Sequence, residues 1–167
     1  MRFHLGITVS ELWQSDDKVD VKFTDGSARK YDLVVGADGG HSQIRAMVFD
    51  TGLTPKFTGE GVWRYNVPRP LDVDYGSIYA TREGPKAGLI PLTRGTAYIF
   101  RIGPEPGNPR FPKNELANIM RERLKPFGGA IGELARDIRD PDLVVYRPLE
   151  SVLVPAPWYR GRVALSD

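Results

Sequence analysis

The sequence predicts an α/β protein: a mainly antiparallel sheet carrying two late helices, with further strands that belong to a second domain. Three observations lead to this class. Between residues 61 and 101, four strand-like segments alternate with turn residues. Two apolar stripes at helical spacing follow between residues 115 and 138. An unbroken apolar run at residues 33–35 is typical of a parallel strand that is buried on both faces.

The chain begins with strand signals. Residues 8–13 are rich in β-branched and aromatic side chains, and Val19–Phe23 alternates apolar and polar residues with period two. The pair Asp25-Gly26 predicts a hairpin turn, after which the chain returns along Ala28–Tyr31. The N-terminal region therefore reads as a short antiparallel group that leads into the buried strand at residues 33–35.

The antiparallel sheet and its helices come next. We expect strands at residues 61–67, 77–81, 87–92 and 97–101. Asn114 is the expected N-cap of a helix over residues 115–127, which Gly128-Gly129 ends. A second, shorter helix over residues 131–138 should stop before Asp140-Pro141. The chain then returns to strands at residues 143–146, 152–154 and 162–165.

Composition excludes several classes of function. The 167 residues carry 23 basic and 21 acidic side chains, a balance that argues against a nucleic-acid binder. The absence of cysteine excludes disulfides and a thiol nucleophile within these residues, and it suits a cytoplasmic location. No apolar run approaches the roughly 20 residues of a membrane span. Only two histidines are present, far apart and without obvious carboxylate partners, so metal ligation is not expected.

The end of the buried strand is the strongest candidate for chemistry. Gly36, Ala37, Asp38 and Gly39 follow the apolar run, and Ser42 and Arg45 come shortly after. Glycines at a strand end let a ligand approach the backbone, and ligands of open α/β sheets bind at the carboxyl ends of strands. Asp38 can accept hydrogen bonds from ribose hydroxyls, Ser42 can cap the next helix, and Arg45 can hold the loop or neutralise Asp38. The same spacing also fits a sharp strand-to-helix turn without a ligand.

Two common motifs fail on inspection. A nucleophile elbow needs Gly-x-Ser-x-Gly, but Ser42 is followed two residues later by Ile44. The dinucleotide fingerprint Gly-x-Gly-x-x-Gly is absent, since its nearest approach, which begins at Gly59, ends at Arg64. No residue stands out as a catalytic base.

The run from Asp32 to Gly39, continued by Ser42 and Arg45, resembles the "DG" motif of the flavin-dependent aromatic hydroxylases of the para-hydroxybenzoate hydroxylase type. In that family the motif lies beside the pyrophosphate of FAD and the path of NAD(P)H. The resemblance implies that Gly36, Ala37, Asp38, Gly39, Ser42 and Arg45 bind FAD. It also implies a monooxygenase that is reduced by NAD(P)H and hydroxylates an aromatic or similar electron-rich small molecule.

The resemblance covers nearly the whole chain but only the middle of the family. It assigns residues 1–47 to part of the FAD-binding domain, 48–155 to the substrate-binding domain, and 156–167 to the return toward the FAD domain. The last segment resembles the approach to a second flavin motif, in which Asp167 falls on a glycine position. The chain is therefore expected to be a fragment that binds FAD weakly or not at all and does not turn over. Strands without their neighbours are expected to form dimers or to aggregate.

The substrate side is expected on the antiparallel sheet. Trp63 and Tyr65 point to one face of their strand and Arg64 to the other, where an arginine can hold a phenolate or carboxylate. The substrate-binding candidates are Trp63, Arg64, Tyr65, Tyr79, Leu89 and Pro91, with Phe100 as a further apolar neighbour. Without a substrate, Arg64 would be an ordinary solvent-exposed arginine, and the apolar candidates would be ordinary core residues.

Two further functions remain open from the sequence. One is a stand-alone small-molecule-binding module, and the other is a non-oxygenating flavoprotein oxidoreductase of the same superfamily. A dinucleotide fingerprint upstream of the chain would favour either enzyme, and product analysis with NADPH and oxygen would separate the two.

Overall fold

The computed structural model describes residues 2–49 and 52–166. The chain forms two compact units: Met1–Lys56 with Glu150–Asp167, and Phe57–Leu149. In the described residues the elements are, in chain order, β1 (Val9–Gln14), β2 (Val19–Phe23), β3 (Ala28–Tyr31), β4 (Val34–Gly36), α1 (Gln43–Val48), β5 (Lys56–Pro68), β6 (Ser77–Ala80), β7 (Lys86–Pro91), β8 (Thr96–Pro104), α2 (Leu116–Leu124), α3 (Gly129–Ala135), β9 (Val145–Ser151), β10 (Tyr159–Arg160) and β11 (Val163–Leu165). No helix in residues 2–49 and 52–166 is long and apolar enough to cross a bilayer.

The first unit begins with the antiparallel sheet β1-β2-β3. Its β2–β3 hairpin closes where expected: the amide of Gly26 donates to the carbonyl of Phe23 at 3.0 Å, and Gly26 has a φ of 84°. Val19 and Val21 of β2 point inward and pack with Ile44 of α1 and Val163 of β11. This small cluster is the core of the first unit.

The strand β4 runs parallel to β11, as the apolar run predicts, in a three-stranded sheet of order β10-β11-β4. The expected burial on both faces is wrong for the described residues, because Leu33 is 59% exposed and Val35 is 54% exposed. The alternation of the strand sends these two side chains to the face that no described residue covers, while Gly36 and Val34 face inward. The uncovered face matches the expectation that strands of this region lack neighbours.

The second unit is a five-stranded sheet of order β6-β7-β8-β5-β9. The pairs β6–β7, β7–β8 and β8–β5 are antiparallel, which confirms the mainly antiparallel sheet. The helices α2 and α3 cover one face, where the alternating side chains of the strands meet Met120, Leu124 and Ile131. The strand residues of this core are Trp63, Tyr65, Val67, Ala87, Leu89, Ala97 and Ile99.

Three local expectations are corrected. Asn114 is not an N-cap, because Lys113–Glu115 already form a 3₁₀ turn and α2 begins at Leu116. The helix ends at Leu124 rather than Phe127, since the amide of Phe127 donates to the carbonyl of Leu124 in a tighter turn. Residues 152–154 form no strand, and the two-residue strand β10 was not expected from the sequence.

Candidate functional site

The turn between β4 and α1 is organised by the carboxylate of Asp38. One oxygen, Oδ1, accepts from the hydroxyl of Ser42 at 2.5 Å. The other, Oδ2, accepts from the backbone amides of Gln43 at 2.7 Å and Ile44 at 3.2 Å. These amides are orphan donors of the first helical turn, so Asp38 satisfies groups that α1 itself cannot. An acid at this end also complements the helix dipole.

The same bonds set the protonation of Asp38. Partial burial opposes ionisation, but the hydrogen bonds from Ser42, Ile44 and Gln43 outweigh it and hold the pKa of Asp38 below its ordinary value. Asp38 is therefore a carboxylate at neutral pH, and all of its bonds in this turn are made as an acceptor.

Ser42 and Arg45 complete the turn. Ser42 is the N-cap of α1, as expected, because its hydroxyl oxygen accepts from the amide of Arg45 at 2.9 Å. The buried guanidinium of Arg45 donates to the carbonyls of Gly40 at 2.5 Å and Leu53 at 3.0 Å. Of the two roles proposed from the sequence, Arg45 takes the one that holds the loop, and no ion pair joins it to Asp38 among the described residues.

Two glycines make the turn possible. A side chain at Gly36 would bring its Cβ within 2.7 Å of Ile44 Cβ, so only glycine lets α1 pack on the end of β4. Gly39 has a φ of 75°, in the left-handed region that other residues rarely adopt. The glycines flanking Asp38 therefore serve the turn itself, while they also leave the backbone bare on its outer side.

A cleft of about 450 Å³ opens beside this turn in the first unit. Its polar wall contains Gly36, Asp38, Gly39, Gly40, Ser42 and Arg45, and its apolar wall contains Val152, Leu153, Val154, Trp158 and Leu165. The structure thus brings together five of the six cofactor-binding candidates, and Ala37 does not line the cleft. A cleft with bare backbone on one wall and apolar side chains on the other suits an elongated ligand of mixed polarity.

His41 of this loop has a partner that was not predicted from the sequence. His41 Nε2 lies 3.0 Å from Glu150 Oε2, so the histidine that was expected to lack a carboxylate partner has one. The two residues are 109 positions apart, and no local signal pairs them. Within the described ranges no three potential metal ligands come together.

The substrate-binding candidates of the second unit divide between the two faces of the sheet. Trp63, Tyr65 and Leu89 lie in the core under α2 and α3, while Arg64 points to the other face and is exposed. Pro91 is partly buried, and Tyr79 on β6 is 50% exposed. The opposed directions of Trp63 and Arg64 confirm the strand alternation predicted for β5.

The face away from the helices presents a cation beside an aromatic ring. The ladder places Arg64 opposite Phe100, Phe100 opposite Gly88, and Gly88 opposite Ile78. The ring of Phe100 lies over Gly88, because a Cβ there would be 2.5 Å from Phe100 Cε1. The ring of Tyr98 lies beside it, with centroids 6.0 Å apart. Phe100 is buried and Tyr98 is partly exposed, so the exposed Arg64 is the group of this face that can hold a planar anion.

A second polar group that the sequence did not reveal is buried on the helix side. The carboxylate of Glu105, fully buried, accepts from Trp63 Nε1 and Arg101 Nη1 at 2.9 Å and from Arg123 Nε at 3.0 Å. Burial lowers the pKa of Arg101, whereas the hydrogen bond to Glu105 raises the pKa of Arg123. Burial also raises the pKa of Tyr146, whose ring packs against Trp63 at a tilt of 38°, with the ring centroids 4.5 Å apart.

Signals for this cluster were present in the strands. An arginine in an apolar strand and an inward tryptophan each need a polar partner when buried. Arg101 lies opposite Trp63 in the ladder, so one polar partner can accept hydrogen bonds from both side chains. The sequence alone did not show which of the 21 acidic residues would meet them.

The chain is similar to curated enzymes along nearly its whole length. No family model matches the chain. The 2-heptyl-3-hydroxy-4(1H)-quinolone synthase of Pseudomonas aeruginosa is 29% identical over 98% of this chain and 43% of its own length. The FAD-dependent urate hydroxylase of Klebsiella pneumoniae is 28% identical over 96% of this chain and 42% of its own length. The chain thus spans less than half the length of these curated relatives.

Solved structures give the same result. Klebsiella pneumoniae HpxO complexed with FAD and uric acid superposes with a TM-score of 0.80 at 26% identity, covering 96% of this chain and 41% of that one. A salicylate hydroxylase in complex with its substrate shares the fold, with a TM-score of 0.72 at 20% identity over 96% of this chain and 44% of the other. The urate hydroxylase and a YetM protein of Bacillus subtilis, which is 24% identical over 91% of this chain and 41% of its own length, are named as FAD-dependent, and the HpxO structure contains FAD; these likenesses confirm the resemblance predicted from the sequence.

Proposed function

We propose that the chain is the middle part of an FAD-dependent monooxygenase that uses NAD(P)H and hydroxylates an aromatic or similarly electron-rich small molecule. The observation that carries this proposal is the cleft beside the Asp38 turn, in a chain similar along its length to FAD-dependent enzymes. Under this proposal residues 1–47 and 156–167 contribute to the FAD domain, and residues 48–155 form the substrate domain. A cytoplasmic location belongs to the same proposal.

The residues of the cleft fit a part of FAD. The exposed Gly39 and Gly40 carry no side chain that would keep a ligand from the loop, and the apolar wall offers Trp158 and Leu165 to a less polar part. Asp38 acts mainly through the loop, since both of its carboxylate oxygens already accept bonds from the turn. Ser42 and Arg45 fix the same loop, and Ala37 contributes its backbone between Gly36 and Asp38. When bound, FAD supplies the redox chemistry that activates oxygen.

The substrate is proposed to lie on the sheet face that carries Arg64. The guanidinium would hold a carboxylate or phenolate of the substrate, and the buried Phe100 ring over Gly88 would support this face from below. Tyr79 and Pro91 remain candidates at the margin of this face. Trp63, Tyr65 and Leu89 would act from the core, where they fix the strands that present Arg64.

The test uses the longest reading frame that contains this chain. We expect the purified protein to carry stoichiometric flavin, to consume NAD(P)H and oxygen, and to yield a hydroxylated aromatic product, whereas the 167-residue chain alone binds FAD weakly or not at all. If the protein purifies without flavin, the monooxygenase proposal is wrong, and a small-molecule-binding module becomes the better description. NAD(P)H oxidation without any hydroxylated product would favour a non-oxygenating flavoprotein.

The role of Arg64 is tested in the same protein. The substitution Arg64→Gln removes the charge that pairs with an anionic substrate, so we expect KM to rise about tenfold or more with flavin content unchanged. Arg139→Gln is the matched control, because Arg139 lies on the second unit with an exposed side chain. Equal KM values in the two variants would remove Arg64 from the substrate site.

A further inference from the structure

The five-stranded sheet of the second unit ends in two strands of opposite character. At one end, β9 contains Arg147, Pro148 and Glu150, residues that discourage pairing with another strand. At the other end, β6 reads Ser77-Ile78-Tyr79-Ala80 and carries no charge and no proline. Edge strands without such protection are templates for pairing with a further strand. The edge of β6 is therefore open in a way that the edge of β9 is not.

The backbone of β6 presents its free groups outward at defined positions. The amide of Thr81 donates to the carbonyl of Pro85 at 2.9 Å, and in an antiparallel ladder the bonded positions alternate. Residues 77, 79 and 81 therefore turn toward β7, while Ile78 and Ala80 turn their backbone groups to the open edge. The side chains there are exposed as well, Ile78 by 66% and Tyr79 by 50%.

We propose that β6 pairs antiparallel with β6 of a second copy of this chain, about a two-fold axis through Ile78. This register places Ile78 opposite Ile78, Ser77 opposite Tyr79, and Gly76 opposite Ala80 of the second copy. The pairs are sterically compatible. The apolar pair of Ile78 with Ile78 lies between pairs that each contain a small residue, Ser77 or Gly76. The axis is perpendicular to the sheet, so the helix-covered faces of both copies stay on one side.

Charge complementarity selects this register. Two-fold symmetry about Ile78 brings the segment before β6 that holds Asp74 toward the turn after β6 of the other copy, which holds Arg82. The carboxylate of Asp74 is 68% exposed and uses Oδ1 for Arg69, which leaves Oδ2 for a second cation. Arg82 has no ion pair among the described residues. A register centred on Tyr79 would shift the segment with Asp74 by two residues, toward Gly84 and away from Arg82.

The first test is cross-linking at the axis. Because the chain has no cysteine, Ile78→Cys introduces a single thiol with no competitor. Residues paired in this register have Cα atoms about 5.5 Å apart, within the range that a disulfide spans. We expect Ile78→Cys to oxidise to a covalent dimer far faster than Leu143→Cys, a control at an exposed apolar residue just before β9. Equal rates for the two variants would overturn the proposal.

The second test measures association without a covalent bond. Ile78→Lys places two like charges opposite each other at the axis, so the dimer dissociation constant from sedimentation velocity should rise about tenfold or more. Leu143→Lys, the matched control, should leave it unchanged. A wild-type chain that stays monomeric at every concentration contradicts the proposal. A dimer that survives Ile78→Lys also contradicts it, because that dimer would form through another surface such as the exposed face of β4.

Discussion

At Glu105, one carboxylate holds together three residues that approach from β5, β8 and α2. Trp63, Arg101 and Arg123 all donate to it, and all of these residues except the partly exposed Arg123 are buried. A buried ion network of this kind contributes less to stability than its bonds suggest, since desolvation offsets most of the attraction. Removing only one charged member of the network is strongly destabilising, because another buried charge is then left without its partner.

We predict that Glu105→Gln lowers the free energy of unfolding by about 3 kcal/mol, near the low end for breaking a buried pair because Arg123 stays partly exposed. The amide keeps the shape of the side chain but cannot neutralise Arg101. Urea denaturation measures the effect, and Glu133→Gln on the exposed side of α3 is the control. If the two variants are equally stable, the buried network does not stabilise the second unit.

The turn from β4 into α1 also depends on one carboxylate, that of Asp38, which stabilises the start of the helix. Asp38 has a lowered pKa in the folded chain, so its contribution is present above the ordinary pKa of about 3.9 and is lost as the pH falls through the folded value. The helix α1 has six residues and depends on its caps more than a long helix does.

We predict that Asp38→Asn destabilises the chain by about 1 kcal/mol above pH 5, a modest loss because the carboxylate is open to solvent. Below about pH 4 the difference should shrink, since the wild-type carboxylate then becomes protonated. Denaturation curves across this pH range test the prediction. Asp16→Asn is the control, because the Asp16 carboxylate forms no hydrogen bond among the described residues. A difference that persists unchanged at low pH would contradict it.

The elements were largely predictable because their signals are local. The alternation in Val19–Phe23, the Asp-Gly turn at Gly26 and the spacing of Met120 and Leu124 all act within a few residues. The turn is local too: the Ser42 cap and the loop role of Arg45 were among the expectations from the sequence, whereas the bonds that Asp38 accepts within the turn were not. What escaped prediction joins distant positions, such as His41 with Glu150, or Phe100 lying over Gly88. Asp167, named for a second flavin motif, lies outside the described residues.

On the scale of the whole molecule, the two units differ in the size of their cores. The first unit closes on Val19, Val21, Ile44 and Val163, whereas the second buries a much larger set under α2 and α3. Buried apolar area is the main favourable term in folding, so the second unit should be the more stable one. Unfolding of the chain is then not a single two-state step.

We predict that backbone amides of β2 and β4 exchange with deuterium sooner than those of β5 and β8. Hydrogen exchange followed by mass spectrometry resolves these segments. An added equimolar FAD should leave the order unchanged, because weak binding shifts stability little. Uniform protection across both units would show that the chain unfolds as one cooperative body.

The first unit is assembled from two stretches of chain, with the second unit inserted between them. Translation delivers these stretches in order, so the ribosome releases all of the second unit before β11 can reach β4. A domain generally folds once its own residues are available. The inserted unit should therefore finish first, while Val34 and Val35 wait in the nascent chain for a partner strand that is synthesised only after the whole second unit. That interval is the period when this polypeptide most needs a chaperone.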